Sequence, residues 1–259
     1  MTAAVSAKSN GIADRLIRAS RDLCDAVGGM RFGSPVAHVY NPLDYARPLH
    51  EAYLQRFGDR TGRALLLGMN PGPWGMAQTG VPFGEVAAVR DWMGLKGDVR
   101  QPREMHPKRP IQGLACGRSE VSGRRLWGWA ATQFGSADAF FKTHFVLNYC
   151  PLMFMLETGA NLTPDKLIAS QREPLIAACD ESLRRVCELL EPRVVIGIGG
   201  FAARRAETVL SGAGIPIGQV LHPSPASPAA NRGWAEAMTR DMAQWTSAES
   251  RTHARPVSR

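Results

Sequence analysis

Four side chains could act on one ligand by type and position: Asn70, Phe83, Asn148 and His222. Asn70 and His222 follow apolar runs, Ala64 to Leu67 and Ile217 to Leu221, and Asn148 lies near the end of a third, His144 to Cys150. A carboxamide donates and accepts hydrogen bonds but has no useful proton affinity. Asn70 can therefore orient a water and cannot serve as a general base. An imidazole such as His222 can donate to charge that develops on a ligand in a dry pocket. Singly, each has an ordinary structural reading: a loop histidine satisfied by backbone, a structural asparagine, a core phenylalanine. Their joint placement is what matters.

Residues 64–84 are the stretch around which the chain is organised. The run Ala64 to Leu67 has the length and continuity of a buried parallel strand. It breaks into a loop with five glycines (Gly68, Gly72, Gly75, Gly80, Gly84) and three prolines (Pro71, Pro73, Pro82). Proline fixes φ and lacks a donor while glycine admits positive φ, so the loop continues neither strand nor helix. Open α/β sheets place ligands at the carboxyl ends of their strands. Asn70, Trp74, Gln78 and Phe83 are thus expected at a site.

The elements that must hold this loop follow from periodicity. Ile12 to Val27 reads as an amphipathic helix closed by Gly28-Gly29, residues 33–48 as a proline-bearing loop, and Tyr45 to Phe57 as a second helix. Helices are expected over Glu85 to Met93 and Arg124 to Phe134. Thr163-Pro164-Asp165 marks a helix start, with Thr163 as N-cap, and the pattern runs to Leu190 with an interruption at Pro174. Arg193 to Gly199 is a further strand, Phe201 to Leu210 a helix, and Asn231 to Trp245 the last helix. Strands alternating with helices predict a parallel sheet covered on both faces. All parallel strands point their carboxyl ends to one edge, so Asn70, Asn148 and His222 can converge in one crevice.

The chain of 259 residues suits one α/β domain over 1–245, with 246–259 a basic tail expected to be disordered. No apolar run approaches the ~18 residues of a membrane span and the first ten lack a signal-peptide core, which reads as an intracellular, cytoplasmic protein. The five cysteines (Cys24, Cys116, Cys150, Cys179, Cys187) are odd in number and widely spaced, against a disulfide framework or a metal site. The net charge of +8 and pI near 9.7 suit a polyanionic partner. Residues 96–125 hold eight basic side chains against three acidic ones, a solvated face unless the neighbouring site handles nucleic acid. Gly197-Ile-Gly199-Gly-Phe-Ala202 fits the dinucleotide fingerprint, but no acidic residue follows at the end of the next strand. These glycines read as close strand–helix packing, and no cofactor is expected.

The segment Gly68-Met-Asn-Pro-Gly-Pro-Trp-Gly-Met-Ala-Gln-Thr-Gly-Val-Pro-Phe-Gly84, Asn148 before Cys150-Pro151, and His222-Pro-Ser-Pro225 closely resemble the single-strand-selective monofunctional uracil-DNA glycosylases. The likeness runs from about residue 30 to 245 and takes in His106-Pro-Lys-Arg-Pro110, Ser119-Glu-Val-Ser-Gly123 and Asn161-Leu-Thr-Pro164. It implies a three-layer α/β/α sandwich with a central four-stranded parallel sheet. It also implies excision of uracil and certain 5-substituted uracils, such as 5-hydroxymethyluracil, from single- and double-stranded DNA, leaving an abasic site for base excision repair. Carried over position by position, Asn70 matches the residue that positions the hydrolytic water and Phe83 the aromatic that stacks on the flipped base. Asn148 matches the reader of the uracil edge and His222 the support for the leaving base. Met69 and Gly72 match parts of the pocket that face the base, Gly72 near its 5-position. Where the DNA-inserting wedge usually carries a basic residue after Ser224 and Pro225, this chain has Ala226, with Arg232 a candidate to compensate.

The residue types suit this chemistry. A carboxamide offers a donor to uracil O4 and an acceptor to N3–H, whereas cytosine reverses that pattern and would leave buried groups unpaired. No motif lysine stands ready for a Schiff base, so hydrolysis without strand nicking is expected. Lys108 and Arg109 are expected to contact DNA phosphates, and the enzyme to act as a metal-free monomer on DNA, in the nucleus if its source is eukaryotic. Two other readings remain: a superfamily glycosylase preferring deaminated purines (xanthine, hypoxanthine), and a damage-binding protein without excision.

Overall fold

The run Ala64–Gly68 has no polar face, and all five residues are buried, as expected of a central strand packed on both sides. The computed structural model describes residues 11–246. In chain order its strands are β1 (His38–Tyr40), β2 (Ala64–Gly68), β3 (His144–Asn148), β4 (Met153–Met155), β5 (Asn161–Leu162), β6 (Val194–Ile198) and β7 (Ile217–Val220). Its α-helices are α1 (Ile12–Gly28), α2 (Pro42–Tyr45), α3 (Arg47–Phe57), α4 (Met76–Thr79), α5 (Val121–Phe134), α6 (Ala137–Thr143), α7 (Ala169–Leu190), α8 (Gly200–Val209), α9 (Pro228–Asn231) and α10 (Trp234–Thr246). Among them, no helix is long and apolar enough to cross a membrane.

The main sheet has the order β3-β2-β6-β7 with every pair parallel. The chain leaves β2 to one side and returns to its other side, so the topological switch lies between β2 and β6. Helices cover both faces, as register shows. Gly197 pairs with Gln219, so Gly197 and Gly218 point to opposite faces. A methyl on Gly197 would strike the Ala203 backbone in α8, and one on Gly218 would meet Trp245 in α10, 2.6 Å away. The sandwich therefore has three layers, and the glycine fingerprint serves close strand–helix packing.

Several elements depart from the sequence expectation. The proline-bearing stretch 33–48 contains β1 and α2, and the Gly/Pro loop contains the single turn α4. β1, β4 and β5 form a small antiparallel sheet, with Val39 opposite Phe154 and Phe154 opposite Leu162. Such two- and three-residue strands are too short for alternation to register. The 85–93 segment contains a π-helical turn, Ala88–Trp92. Thr163 precedes only a 3-10 turn, Pro164–Lys166, with no side-chain cap, and α7 begins at Ala169. Pro174 does not divide α7: in its second turn it removes one backbone bond, while a face carrying Leu175, Cys179, Leu183 and Val186 stays buried. α10 reaches Thr246, and the rest of the expected disordered tail lies outside the described residues. All five cysteines are free and buried.

His144 opens β3 inside the core, its ring stacked on Phe140 at 5.0 Å, with Nδ1 bonded to Thr143 Oγ1 and Nε2 buried without a partner. Burial, aided by the Arg193 charge, pushes its pKa down to about 4. The unfolded chain binds this proton near pH 6.5 and the folded chain resists it, so stability is full above that pH and falls as pH drops from 6.5 toward about 4. By 1.36 kcal/mol per pH unit the loss is about 3 kcal/mol. Urea unfolding midpoints measured between pH 7 and 4.5 are expected to fall more steeply for the wild type than for His144→Phe; parallel curves would contradict this.

Candidate active site

The parallel register puts Gly68, the last residue of β2, opposite Asn148, the last of β3. A methyl at position 68 would overlap the Asn148 carboxamide and come within 2.5 Å of the Phe83 ring. The missing side chain lets both groups close over the strand end. Asn148 Nδ2 donates to Met76 Sδ at 3.1 Å, and its Oδ1 is buried with no partner. An unpaired buried acceptor costs about 1–3 kcal/mol, and such a cost marks a place where a ligand supplies the donor. A thioether accepts but cannot donate, so Met76 also holds the amide with its NH₂ toward the sulfur.

Asn70 donates from Nδ2 to the Leu152 carbonyl at 3.2 Å, which leaves Oδ1 as its free acceptor. Phe83 has φ +53°, in the left-handed region that aromatic residues avoid. Trp127 Nε1 donates to its carbonyl at 3.0 Å and pins this conformation. The ring centroid lies 6.1 Å from that of His222, tilted by 43°. Burial lowers the His222 pKa below its ordinary 6.5, so the imidazole is neutral at pH 7. Met69, Asn70, Gly72, Phe83, Asn148 and His222 line one pocket of about 370 Å³, with Ser224 and Pro225 at its wall.

Of the remaining expected contacts, Lys108 is exposed and Arg109 lies with its guanidinium 5.3 Å from the Trp74 ring centre. His106 anchors this segment: Nδ1 accepts from Lys108 N and Nε2 donates to the Glu157 carbonyl, both at 3.0 Å. Trp74 is half-buried between Arg109 and Arg118. Gln78 is not presented to the site. It is fully buried and braces the loop to Pro73, Pro110 and Gln112. Pro225, Ala226 and Arg232 are exposed on the segment that follows His222.

Two functional positions escaped the sequence reading. Arg125, counted there only as charge, donates to the carbonyls of Pro223 and Ser224 and to Asn231 Oδ1, while Asn231 Nδ2 donates to the Pro225 carbonyl. The segment after His222 is thus braced against α5. Glu120, in the Ser119-Glu-Val-Ser-Gly123 motif, lines the pocket, and its carboxylate accepts from Trp74 N at 3.1 Å. Burial raises its pKa above the usual carboxylate range. The motif was a usable signal; the inward turn of its glutamate was not.

The pocket lies at the carboxyl edge of the parallel sheet, beside its topological switch, and residues 55–243 match the Uracil DNA glycosylase superfamily. The chain is 50% identical over 207 residues to the single-strand selective monofunctional uracil-DNA glycosylase of Rattus norvegicus, covering 79% of this chain and 74% of that one. It is 46% identical over 232 residues to its Bos taurus counterpart, covering 89% and 85%. In fold it resembles the crystal structure of wild-type Pedobacter heparinus SMUG2, with TM-score 0.68, 19% identity and coverage of 92% and 97%. The chain belongs to the single-strand selective monofunctional uracil-DNA glycosylase family of this superfamily.

The lowered basicity of His222 has a direct readout. In an NMR titration of ring nitrogens, its imidazole is expected to protonate with a midpoint below 6.5; a midpoint above that value would contradict a desolvated, neutral ring.

Proposed function

We propose that the protein hydrolyses the N-glycosidic bond of uracil, and of 5-hydroxymethyluracil, in DNA and leaves an abasic site. The observation that carries this reading is the unpartnered Asn148 Oδ1 beside a donor-bearing Nδ2, under Phe83 and facing the same pocket as His222. The pair complements uracil N3–H and O4 and mismatches cytosine.

A base inside a duplex is out of reach, so it is extruded into the pocket at a cost of a few kcal/mol. Stacking on Phe83 returns about 1–3 kcal/mol. As the bond breaks, positive charge grows on the sugar and negative charge on the uracil. His222, neutral in its dry setting, donates to O2 and stabilises the departing anion. Asn70, tied through Nδ2 to Leu152, holds a water with Oδ1 for late attack on the sugar cation. The mechanism is dissociative, since no group at Asn70 takes a proton early. Among the described residues, no lysine lines the pocket, which supports hydrolysis without strand nicking. Lys108 and Arg109 contact phosphates, and the exposed Pro225-Ala226 turn approaches the gap left by the extruded base. The enzyme acts as a single-domain monomer.

End-labelled oligonucleotides with one uracil, single-stranded or paired with guanine or adenine, are incubated in EDTA and split with and without hot alkali. Breaks only after alkali are the expected result. Breaks without alkali would add a lyase step, and no breaks would leave binding without excision or another base. Asn70→Ala and His222→Ala are expected to abolish turnover while sparing DNA binding. Gly68→Ala is expected to cut single-turnover excision about 100-fold by displacing Asn148 and Phe83. Neutralising Lys108 and Arg109 together is expected to weaken binding and flatten its salt dependence; an unchanged salt slope would remove them from the interface.

A further inference from the structure

Glu120 is a half-buried carboxyl group in the base pocket that the steps above leave without a role. It occupies the N-cap of α5 yet makes no side-chain cap to its own helix. Its side chain turns instead toward the Gly/Pro loop, where it accepts from Trp74 N and packs against Gly75. Its oxygens stand in the place that a side chain on residue 72 would take: a methyl on Gly72 would lie 2.5 and 2.6 Å from Oε2 and Oε1. A carboxylate has about four acceptor positions, and the backbone N–H groups of Trp74 and Gly75 use two of them.

The edge of the base that meets this group follows from Asn148. Oδ1 receives N3–H and Nδ2, on the Met76 side, donates to O4. In a pyrimidine ring C5 is bonded to C4 on the side away from N3, so the 5-position lies past Nδ2, toward Met76 and the loop that leads into it. That loop is tied back on itself, since the Gly72 carbonyl accepts from Ala77 N at 3.2 Å. The wall facing C5 is therefore the Gly72–Gly75 backbone, with the Glu120 carboxyl filling the gap that glycine leaves.

Resting on the uracil-excision reading, we propose that Glu120 sets selectivity at the 5-position, accepting a hydrogen bond from substituents that carry an O–H donor and rejecting a methyl. A hydroxymethyl group meets the carboxyl with a charge-assisted bond. A hydrogen atom leaves room for water to solvate the carboxyl. A methyl group does neither: it strips solvent from a polar group and supplies no donor. Thymine is thus excluded by chemistry as well as by size, at a position where glycine alone would leave an opening.

The test compares single-turnover excision of uracil, 5-hydroxymethyluracil and thymine from the same single strand, so that base pairing does not enter. In Glu120→Met, of similar length and without acceptors, the 5-hydroxymethyluracil to uracil ratio is expected to fall about tenfold or more, and the thymine to uracil ratio to rise. Glu120→Gln keeps an acceptor for Trp74 N, and its 5-hydroxymethyluracil to uracil ratio is expected to lie between those of the wild type and Glu120→Met. If Glu120→Met slows uracil and 5-hydroxymethyluracil equally, Glu120 only braces the loop and the proposal falls. If Glu120→Met does not fold, an unchanged ratio in Glu120→Gln overturns the proposal by itself. Wild-type protein inactive on uracil would instead overturn the excision reading, a separate outcome visible in the same gel.

Discussion

The parallel alignment that sets Gly68 opposite Asn148 is the constraint on which the site rests. Hydrogen bonding between β2 and β3 fixes where the carboxamide stands along the strand. The absence of a side chain at 68 lets it and the Phe83 ring approach the same backbone atom. A one-residue slip would turn Asn148 to the other face of the sheet. Elements further out stabilise this junction: Met76 orients the amide, Trp127 holds the Phe83 carbonyl, and Gln78 ties the loop to the basic segment.

The pocket and the segments that hold it divide their polar work between groups that are satisfied and groups that are not. Gln78 and His106 have their polar atoms paired within the protein and serve as fasteners. Asn148 is left with an unpaired oxygen and Asn70 with only one of its two polar atoms engaged. Folding therefore leaves hydrogen-bonding capacity open at the carboxyl edge of the sheet, where a ligand can supply the missing partner.

The central sheet, its order of elements and the convergence of Asn70, Asn148 and His222 were legible because buried parallel strands are continuous apolar runs whose ends share one edge. Phe83 was legible through its motif, and the Gly197 fingerprint resolved as packing against α8. The small antiparallel sheet was not legible, since strands of two or three residues show no periodicity. Nor was Pro174 inside α7, where tertiary burial outweighed one lost backbone bond. Arg125 and Glu120 carried only their charge in the sequence. What they do depends on which way a long side chain turns at the start of α5, and spacing does not encode that. Gln78 illustrates the converse: a polar residue in a site loop that folding consumed as a brace.

The backbone at Phe83 stands in a conformation that costs about 1–3 kcal/mol for a residue with a side chain, and glycine would relieve it. Selection for thermal tolerance alone would thus favour losing the aromatic ring at this position. With the stacking role proposed for its ring, residue 83 is a point where durability and base binding pull in opposite directions. A stabilised descendant of this enzyme would have to find its gains elsewhere in the chain, leaving this small debt in place.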